Sequence, residues 1–242
     1  MRAEILTAKT IANAARVLAW QDRQLARILE EYGPPPLWKR PQGFPTLVRI
    51  ILEQQVSLSS AASMYARLSR AIDPFNPAKF IEAGESGFRS LGVTRQKTSY
   101  LLKLAESIEN SELSLPKVSK LSDAEAKLAL MKVKGIGSWS ADIYLLMAMR
   151  RADVWPVGDL ALATTVMELK RLNRRPSEEY LTAIAERWRP YRAVAARMLW
   201  QHYLGERTRR NKGREVEKTN SFSRGEGFAA GSRGSKDKDL TE

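Results

Sequence analysis

The chain has 242 residues and a mass of 27.3 kDa, enough for one large domain or two small ones, and its 43% hydrophobic content can supply a sizeable core. It contains no cysteine and a single histidine, His202, which removes disulfides, thiolate nucleophiles, cysteine-held zinc or iron–sulfur clusters and paired-histidine sites. Carboxylate chemistry, lysine chemistry or binding alone remain. Forty Lys and Arg against 27 Asp and Glu give +13; ten basic and seven acidic residues fall in 206–242, which leaves +10 on residues 1–205. A basic body favours nucleic acid as partner, although a generally cationic enzyme would look the same.

The apolar spacing predicts helices almost throughout. Ile11, Ala14, Val17, Leu18, Leu25 and Leu29 mark one from Thr10 to Glu31, ended by Gly33 and Pro34–Pro36. Phe44 to Gln55 forms a second, and Ser57 or Ser59 caps a third that runs to Ile72, before Pro74. A short element near Lys79 to Ala83 precedes GFRSLGVT, where two glycines punctuate a turn. Thr94 caps Arg95 to Glu109, Pro116 lies in a connector, and Asp123 to Met131 forms the next helix. Ser138 to about Arg150, Leu160 to Arg171, Ser177 to Trp188 and Tyr191 to Leu204 complete the series. Val154, Trp155 and Val157 form the one extended candidate, interrupted by Pro156. The expected fold is all-α with two helical lobes over residues 1–205. Residues 206–242, rich in Gly, Ser and charge, are expected to be a tail without regular structure. No run of about 18 apolar residues exists to span a membrane, and the N-terminus lacks a secretory apolar stretch. The expected location is the cytoplasm.

The chemistry concentrates between Leu130 and Val166, LMKVKGIGSWSADIYLLMAMRRADVWPVGDLALATTV. Gly135 and Gly137, one residue apart between two helices, permit a tight turn and close backbone approach. The free N–H groups that open the following helix, with Ser138 and the nearby Lys134, form an anion cradle suited to a phosphate. A plain helix corner produces the same GxG. Asp159, flanked by Pro156, Val157 and Gly158, stands at the mouth of the helix that begins at Leu160. It reads either as an N-cap or as a fixed carboxylate facing a developing cation, and the two are compatible.

Taken together, the hairpin and the Asp about twenty residues later resemble the helix–hairpin–helix (HhH-GPD) DNA glycosylase superfamily. FPTLVRIILEQQVSLSSAASMYARL (44–68), LGVTRQKTSYLLKLA (91–105) and WRPYRAVAARMLW (188–200) are similar to further segments of that family in the same order. The closest likeness is to its bacterial inducible 3-methyladenine branch, in a compact form without an N-terminal sheet domain. The resemblance implies a cleft between the lobes, flipping of a base out of damaged double-stranded DNA, and a monomeric enzyme that excises alkylated bases hydrolytically. It implies Asp159 as the catalytic carboxylate, Gln55 as the residue filling the vacated stack, and Trp139 and Trp200 as pocket aromatics, with Tyr144 and Trp155 as further candidates. Gln55 also reads as a polar helix-end residue, and each aromatic also reads as core. Bifunctional members carry a lysine two residues after the second hairpin glycine; Trp139 occupies that position here, so no lyase activity is expected.

By the same resemblance the backbone of Gly135, Gly137 and Ser138 holds phosphate. Carbonyls of Met131, Val133 and Ile136 hold a structural monovalent cation (Na or K); no cofactor is expected for catalysis, and no iron–sulfur cluster can be built without cysteine. Arg95 and Lys97 are further contacts or a solvated basic face. Asp142 reads as a solvated or helix-stabilising charge, Asp153 as exposed and His202 as a packing residue. Deaminated or mismatched bases (uracil or thymine opposite guanine) are alternative substrates of the same scaffold. A noncatalytic DNA-binding module accounts for the charge and the hairpin but gives no use to Asp159, Trp139 and the Gln54-Gln55 turn together.

Overall fold

A computed structural model of the protein describes residues 4–225. Among the described residues there are twelve helices and no strand, and an isolated antiparallel bridge joins Ile5 to Arg151. The helices are α1 (Ala8–Gln21), α2 (Arg23–Tyr32), α3 (Phe44–Glu53), α4 (Leu58–Ala71), α5 (Pro77–Ser90), α6 (Arg95–Glu109), α7 (Leu115–Val118), α8 (Asp123–Met131), α9 (Ser138–Met147), α10 (Leu160–Leu169), α11 (Glu178–Glu186) and α12 (Arg192–Gly225). None of them is long and apolar enough to cross a membrane.

Local chemistry fixes the ends. Ser122 and Glu125 form a reciprocal capping box at α8, and the Thr94 hydroxyl accepts from the Lys97 N–H at α6. Ser57, rather than Ser59, caps α4. The single helix expected over Thr10 to Glu31 is two: the Asp22 carboxylate accepts from the Gln24 and Leu25 N–H groups and starts α2 afresh. The short element near Lys79 is instead α5, fourteen residues kinked at Gly84, and Gly87 lies inside it rather than in a turn. Pro116 opens the short α7 at its first turn, where a missing N–H costs nothing.

The described residues up to His202 form one compact unit, and those from Tyr203 to Gly225 belong to a second. In the first, α3 is central and packs against α4, α6 and α9, while α1 pairs with α2, α5 with α6 and α8 with α9. Phe44, Phe75, Phe80 and Phe88 form an unbroken chain of ring contacts with centroids 4.8–6.4 Å apart. α12 continues to Gly225 through residues 206–225, the first part of the expected tail. An already nucleated helix extends cheaply through Lys, Arg and Glu. The rest of the expected tail, 226–242, lies outside the described residues.

Candidate active site

The α8–α9 hairpin separates its two glycines by function. Gly135 has φ +97°, and an added Cβ there would sit 2.5 Å from the Tyr100 Cβ and 2.8 Å from its Cδ1. This position must be glycine so that the turn can lie on α6. Gly137 has an ordinary φ of −84°, and an added Cβ would meet nothing within 4 Å. It is the N-cap of α9 and supplies no side-chain cap, so the first N–H groups of that helix face outward without one. Lys134 beside it is exposed and Ser138 half-buried. Open space, free donors and the positive end of a helix dipole are what an approaching phosphate needs.

Gln54 ties this hairpin to the α3–α4 turn. Its Nε2 donates to the Gly135 carbonyl and to the Ser140 Oγ, each at 2.8 Å. The adjacent Gln55 is exposed at φ +56°, a backbone conformation uncommon outside glycine. Fixing one glutamine inward thus presents the next one outward, beside the hairpin.

Asp159 is the N-cap of α10 and more than that. Its Oδ1 accepts from the Leu162 N–H at 2.9 Å and from the Trp200 indole N–H at 3.1 Å, and its Oδ2 accepts from the Trp139 indole N–H at 2.9 Å. The carboxylate is half-buried, and all three donors are neutral. They fix its orientation without cancelling its charge, and its two oxygens offer about four acceptor sites in all. The sequence readings of Asp159 as cap and as charge therefore describe one geometry.

The structure brings Asp159, Trp139 and Trp200 together and places other candidates elsewhere. Tyr144 is buried, its hydroxyl accepts from the Gly43 N–H at 3.0 Å, and burial pushes its pKa up. It anchors the entry to α3 rather than lining a pocket. Trp155 is buried against Trp188, with ring centroids 5.5 Å apart, and borders a cavity of about 200 Å³ with Asp142, Asp153, Lys127 and Arg192 rather than with Asp159. Lys97 donates from Nζ to the Leu52 carbonyl at 2.6 Å, capping the end of α3, and burial lowers its pKa. That ammonium is committed to the fold, whereas Arg95 is exposed at the start of α6. His202 packs edge-on to Tyr32 at 5.8 Å.

Two carboxylates depart from their expected settings. Asp142 is buried, not solvated: its Oδ2 accepts from Lys127 Nζ at 2.8 Å and from the Val157 N–H at 3.4 Å. Burial raises its pKa, with Lys127 acting in the opposite direction. It clamps the loop that leads to Asp159. Asp153 is half-buried and paired with Arg189 at 2.6 Å and Arg192 at 2.9 Å.

Three side chains at the site escape a sequence reading. Gln54 was visible only as part of a turn motif. Trp38 lies in the α2–α3 loop with its ring centroid 6.4 Å from that of Trp200, and Arg197 is buried one turn before Trp200. A Trp two residues after three prolines is the only local signal for Trp38.

Residues 48–190 match the model of the HhH-GPD superfamily of base excision DNA repair proteins. The chain is 25% identical over 173 residues to the DNA-3-methyladenine glycosylase of Bacillus subtilis, spanning 66% of this chain and 57% of that protein. It is similar to the crystal structure of a DNA-3-methyladenine glycosidase from Bacillus halodurans, with TM-score 0.69, 26% identity, and coverage of 84% of this chain and 93% of that one. The Schizosaccharomyces pombe 3-methyladenine DNA glycosylase Mag1, solved in complex with abasic DNA, shares the fold with TM-score 0.69 at 23% identity, over 78% of this chain and 95% of that one.

Proposed function

The chain belongs to the HhH-GPD superfamily of base excision DNA repair proteins, and from that premise we propose that it is a monofunctional DNA glycosylase acting on alkylated bases such as 3-methyladenine in duplex DNA. The observation that carries the reading is the Asp159 carboxylate, held by Trp139 and Trp200 through their indole N–H groups at 2.9 and 3.1 Å. A glycosylase must rotate its target nucleotide out of the stack and stabilise a sugar that becomes oxocarbenium-like as the base departs. A fixed carboxylate whose charge is not neutralised by a neighbouring cation suits that task, because it favours developing positive charge without reorganising. The two indoles that orient it present aromatic faces, which attract the positive charge of an N-alkylated purine. Such a base already has a weakened glycosidic bond, so it needs little protonation to leave. An indole at 139 offers no amine for a Schiff base, which supports hydrolysis without strand cleavage.

In this reading Gly137, Ser138 and Lys134 take a backbone phosphate, Gln55 enters the gap left by the flipped nucleotide, and Arg95 contacts the duplex. The protein acts as a monomer in the cytoplasm. Met131, Val133 and Ile136 stand at the end of α8 and in its turn, where helix carbonyls lack intrahelical partners. The Val133 carbonyl accepts the Ile136 N–H at 3.0 Å and retains a second lone pair. An all-carbonyl set at the negative end of a helix fits Na or K, and the Met131, Val133 and Ile136 carbonyls would hold such an ion, which would add positive charge at the hairpin. The test is base release from duplexes carrying 3-methyladenine, 7-methylguanine, uracil or a thymine–guanine mismatch. Release of the methylated purines alone supports the alkylbase reading; release confined to uracil or thymine moves the protein to the deaminated-base alternative.

A further inference from the structure

The loop from α9 to α10 carries Asp159, and α9 grips the last turn of that loop at two points. Trp139 donates its indole N–H to Asp159 Oδ2 at 2.9 Å; Asp142, one helical turn later, accepts the Val157 N–H on its Oδ2 at 3.4 Å. Between the two anchored loop residues the chain turns tightly. The Asp159 N–H donates to the Pro156 carbonyl at 3.4 Å, and Gly158 has φ +81°. A shift of Val157 is therefore passed to Asp159 within two residues. Trp139 fixes the direction of the carboxylate, whereas Asp142 fixes where the backbone that carries it enters the turn.

Packing alone does not hold that entry. Trp155 and Val157 border the cavity of about 200 Å³ shared by Asp142, Asp153, Lys127 and Arg192, so one side of the loop lacks the dense contact that fixes a core residue. Polar contacts take its place. At the start of the loop Arg192 donates to the Asp153 carboxylate and to the Asp153 carbonyl, each at 2.9 Å, and at its end stands Asp142. Asp142 is 2% exposed, and its Oδ2 also lies 2.8 Å from Lys127 Nζ and 3.5 Å from Ser138 Oγ. A buried ion pair is a weak device for stability, since the cost of desolvating both charges offsets much of their attraction. This one joins α8, the start of α9 and the Asp159 loop through a single carboxylate oxygen.

We infer that Asp142 is a positioning residue for base excision, which sets the Asp159 carboxylate where the sugar requires it, and that Lys127 acts through Asp142 by holding it in place. This rests on the glycosylase reading. The phosphate cradle uses backbone N–H groups at the start of α9, so its strength does not depend on the Asp142 side chain. Loss of the clamp should therefore slow the chemistry on bound DNA without weakening binding.

The experiment is single-turnover release of 7-methylguanine from duplex DNA by the full chain, in saturating excess so that the rate reports bound, folded protein, with duplex affinity measured beside it. The variants are Asp142→Ala, Asp142→Asn, Lys127→Met and Lys127→Arg, and Asp142→Ala combined with Asp159→Asn. Asn76→Ala, which removes the N-cap of α5, is the control for lost stability alone. Asp142→Ala should slow release by roughly 10- to 100-fold with affinity unchanged. Asp142→Asn keeps an acceptor for the Val157 N–H but not the charge that draws Lys127, and should slow release by less. Lys127→Met should slow it and Lys127→Arg should retain most of the rate, while Asn76→Ala should lower Tm and leave the rate intact. In the Asp159→Asn background Asp142→Ala should slow release no further, because its effect passes through that carboxylate. Asparagine keeps the shape of aspartate, so it tests the inference even if alanine fails to fold. An undiminished rate in the folded Asp142 variants, a loss confined to affinity, or the same slowing in the Asp159→Asn background overturns the inference and leaves the glycosylase reading standing. No release of any base by the unaltered protein overturns both.

Discussion

The two hairpin glycines predict opposite outcomes for the same added methyl. In Gly135→Ala the new Cβ must adopt φ +97° and meets the Tyr100 Cβ and Cδ1 at 2.5 and 2.8 Å. The backbone conformation costs about 1–3 kcal/mol for a non-glycine residue, and forced overpacking costs about 1–3 kcal/mol more. The contacted atoms include the root of the tyrosine side chain, so rotating the ring gives no relief. The sum, about 2–6 kcal/mol, is a large fraction of a typical domain stability of about 5–15 kcal/mol. A chain of this size should lose about 4–24 °C in Tm. Adding Tyr100→Ala removes the ring but keeps its Cβ, so the rescue should be partial. Gly137→Ala adopts φ −84° in open space. The gain from a less flexible unfolded chain, about 0.4–1 kcal/mol, is offset by alanine being a poorer N-cap than glycine. Its stability should stay within about 0.5 kcal/mol of the parent, while duplex binding weakens because the methyl occupies the surface a phosphate approaches. Urea denaturation and fluorescence anisotropy on a short duplex read both quantities. Equal destabilisation by the two substitutions, or unimpaired binding by Gly137→Ala, would refute the division of labour.

Other consequences follow from named contacts. Lys134→Ala should leave stability unchanged and reduce the salt dependence of duplex binding, with the slope of log K against log salt shallower by about 0.9; an unchanged slope removes Lys134 from the interface. Gln54→Leu leaves the Gly135 carbonyl and the Ser140 hydroxyl without their donor and should cost about 1–3 kcal/mol. Gln55→Leu, at an exposed side chain, should change stability by less than about 0.5 kcal/mol, as paired melts would show. Asp142 has its folded pKa raised above the usual 3.8 by burial. Its titration therefore favours the folded state at low pH, fully below 3.8, and that contribution is lost as pH rises through the raised value. The stability difference between the unaltered protein and Asp142→Asn should accordingly grow as pH falls through that window. A difference that shrinks there would contradict the assignment.

The legible parts of the fold were those where local and tertiary signals agree. Arg95–Glu109 and Asp123–Met131 have the same limits in the sequence and in the structure, since side-chain caps mark their starts. Asp22 broke a helix that its periodicity ran straight through, because a capping carboxylate leaves the apolar spacing undisturbed. Gly87 misled in the other direction, as a glycine tolerated inside α5. The hairpin and Asp159 stand out in the sequence only through their resemblance to the family, since each alone reads as a helix corner and an N-cap, and their bonds are not legible at all: Trp139 and Trp200 lie 20 and 41 residues from Asp159 and meet it only in the folded chain. Lys97 and Tyr144 show the converse, since a lysine capping α3 and a tyrosine anchoring Gly43 have no local mark distinguishing them from ligand-binding residues. Trp38 and Arg197 depend wholly on tertiary contact.

The central claim is that the Asp159 carboxylate acts on the sugar. Asparagine there keeps the cap to Leu162 but turns an amide NH2 toward an indole N–H, so the variant's Tm should be measured beside its activity. Single-turnover release of 3-methyladenine from methylated duplex DNA, with products resolved with and without alkali, is the most direct test. The account predicts release by the unaltered protein, nicking only after alkali, and a loss of roughly 10²- to 10³-fold in folded Asp159→Asn. Undiminished release by that variant, or strand cleavage without alkali, would contradict it.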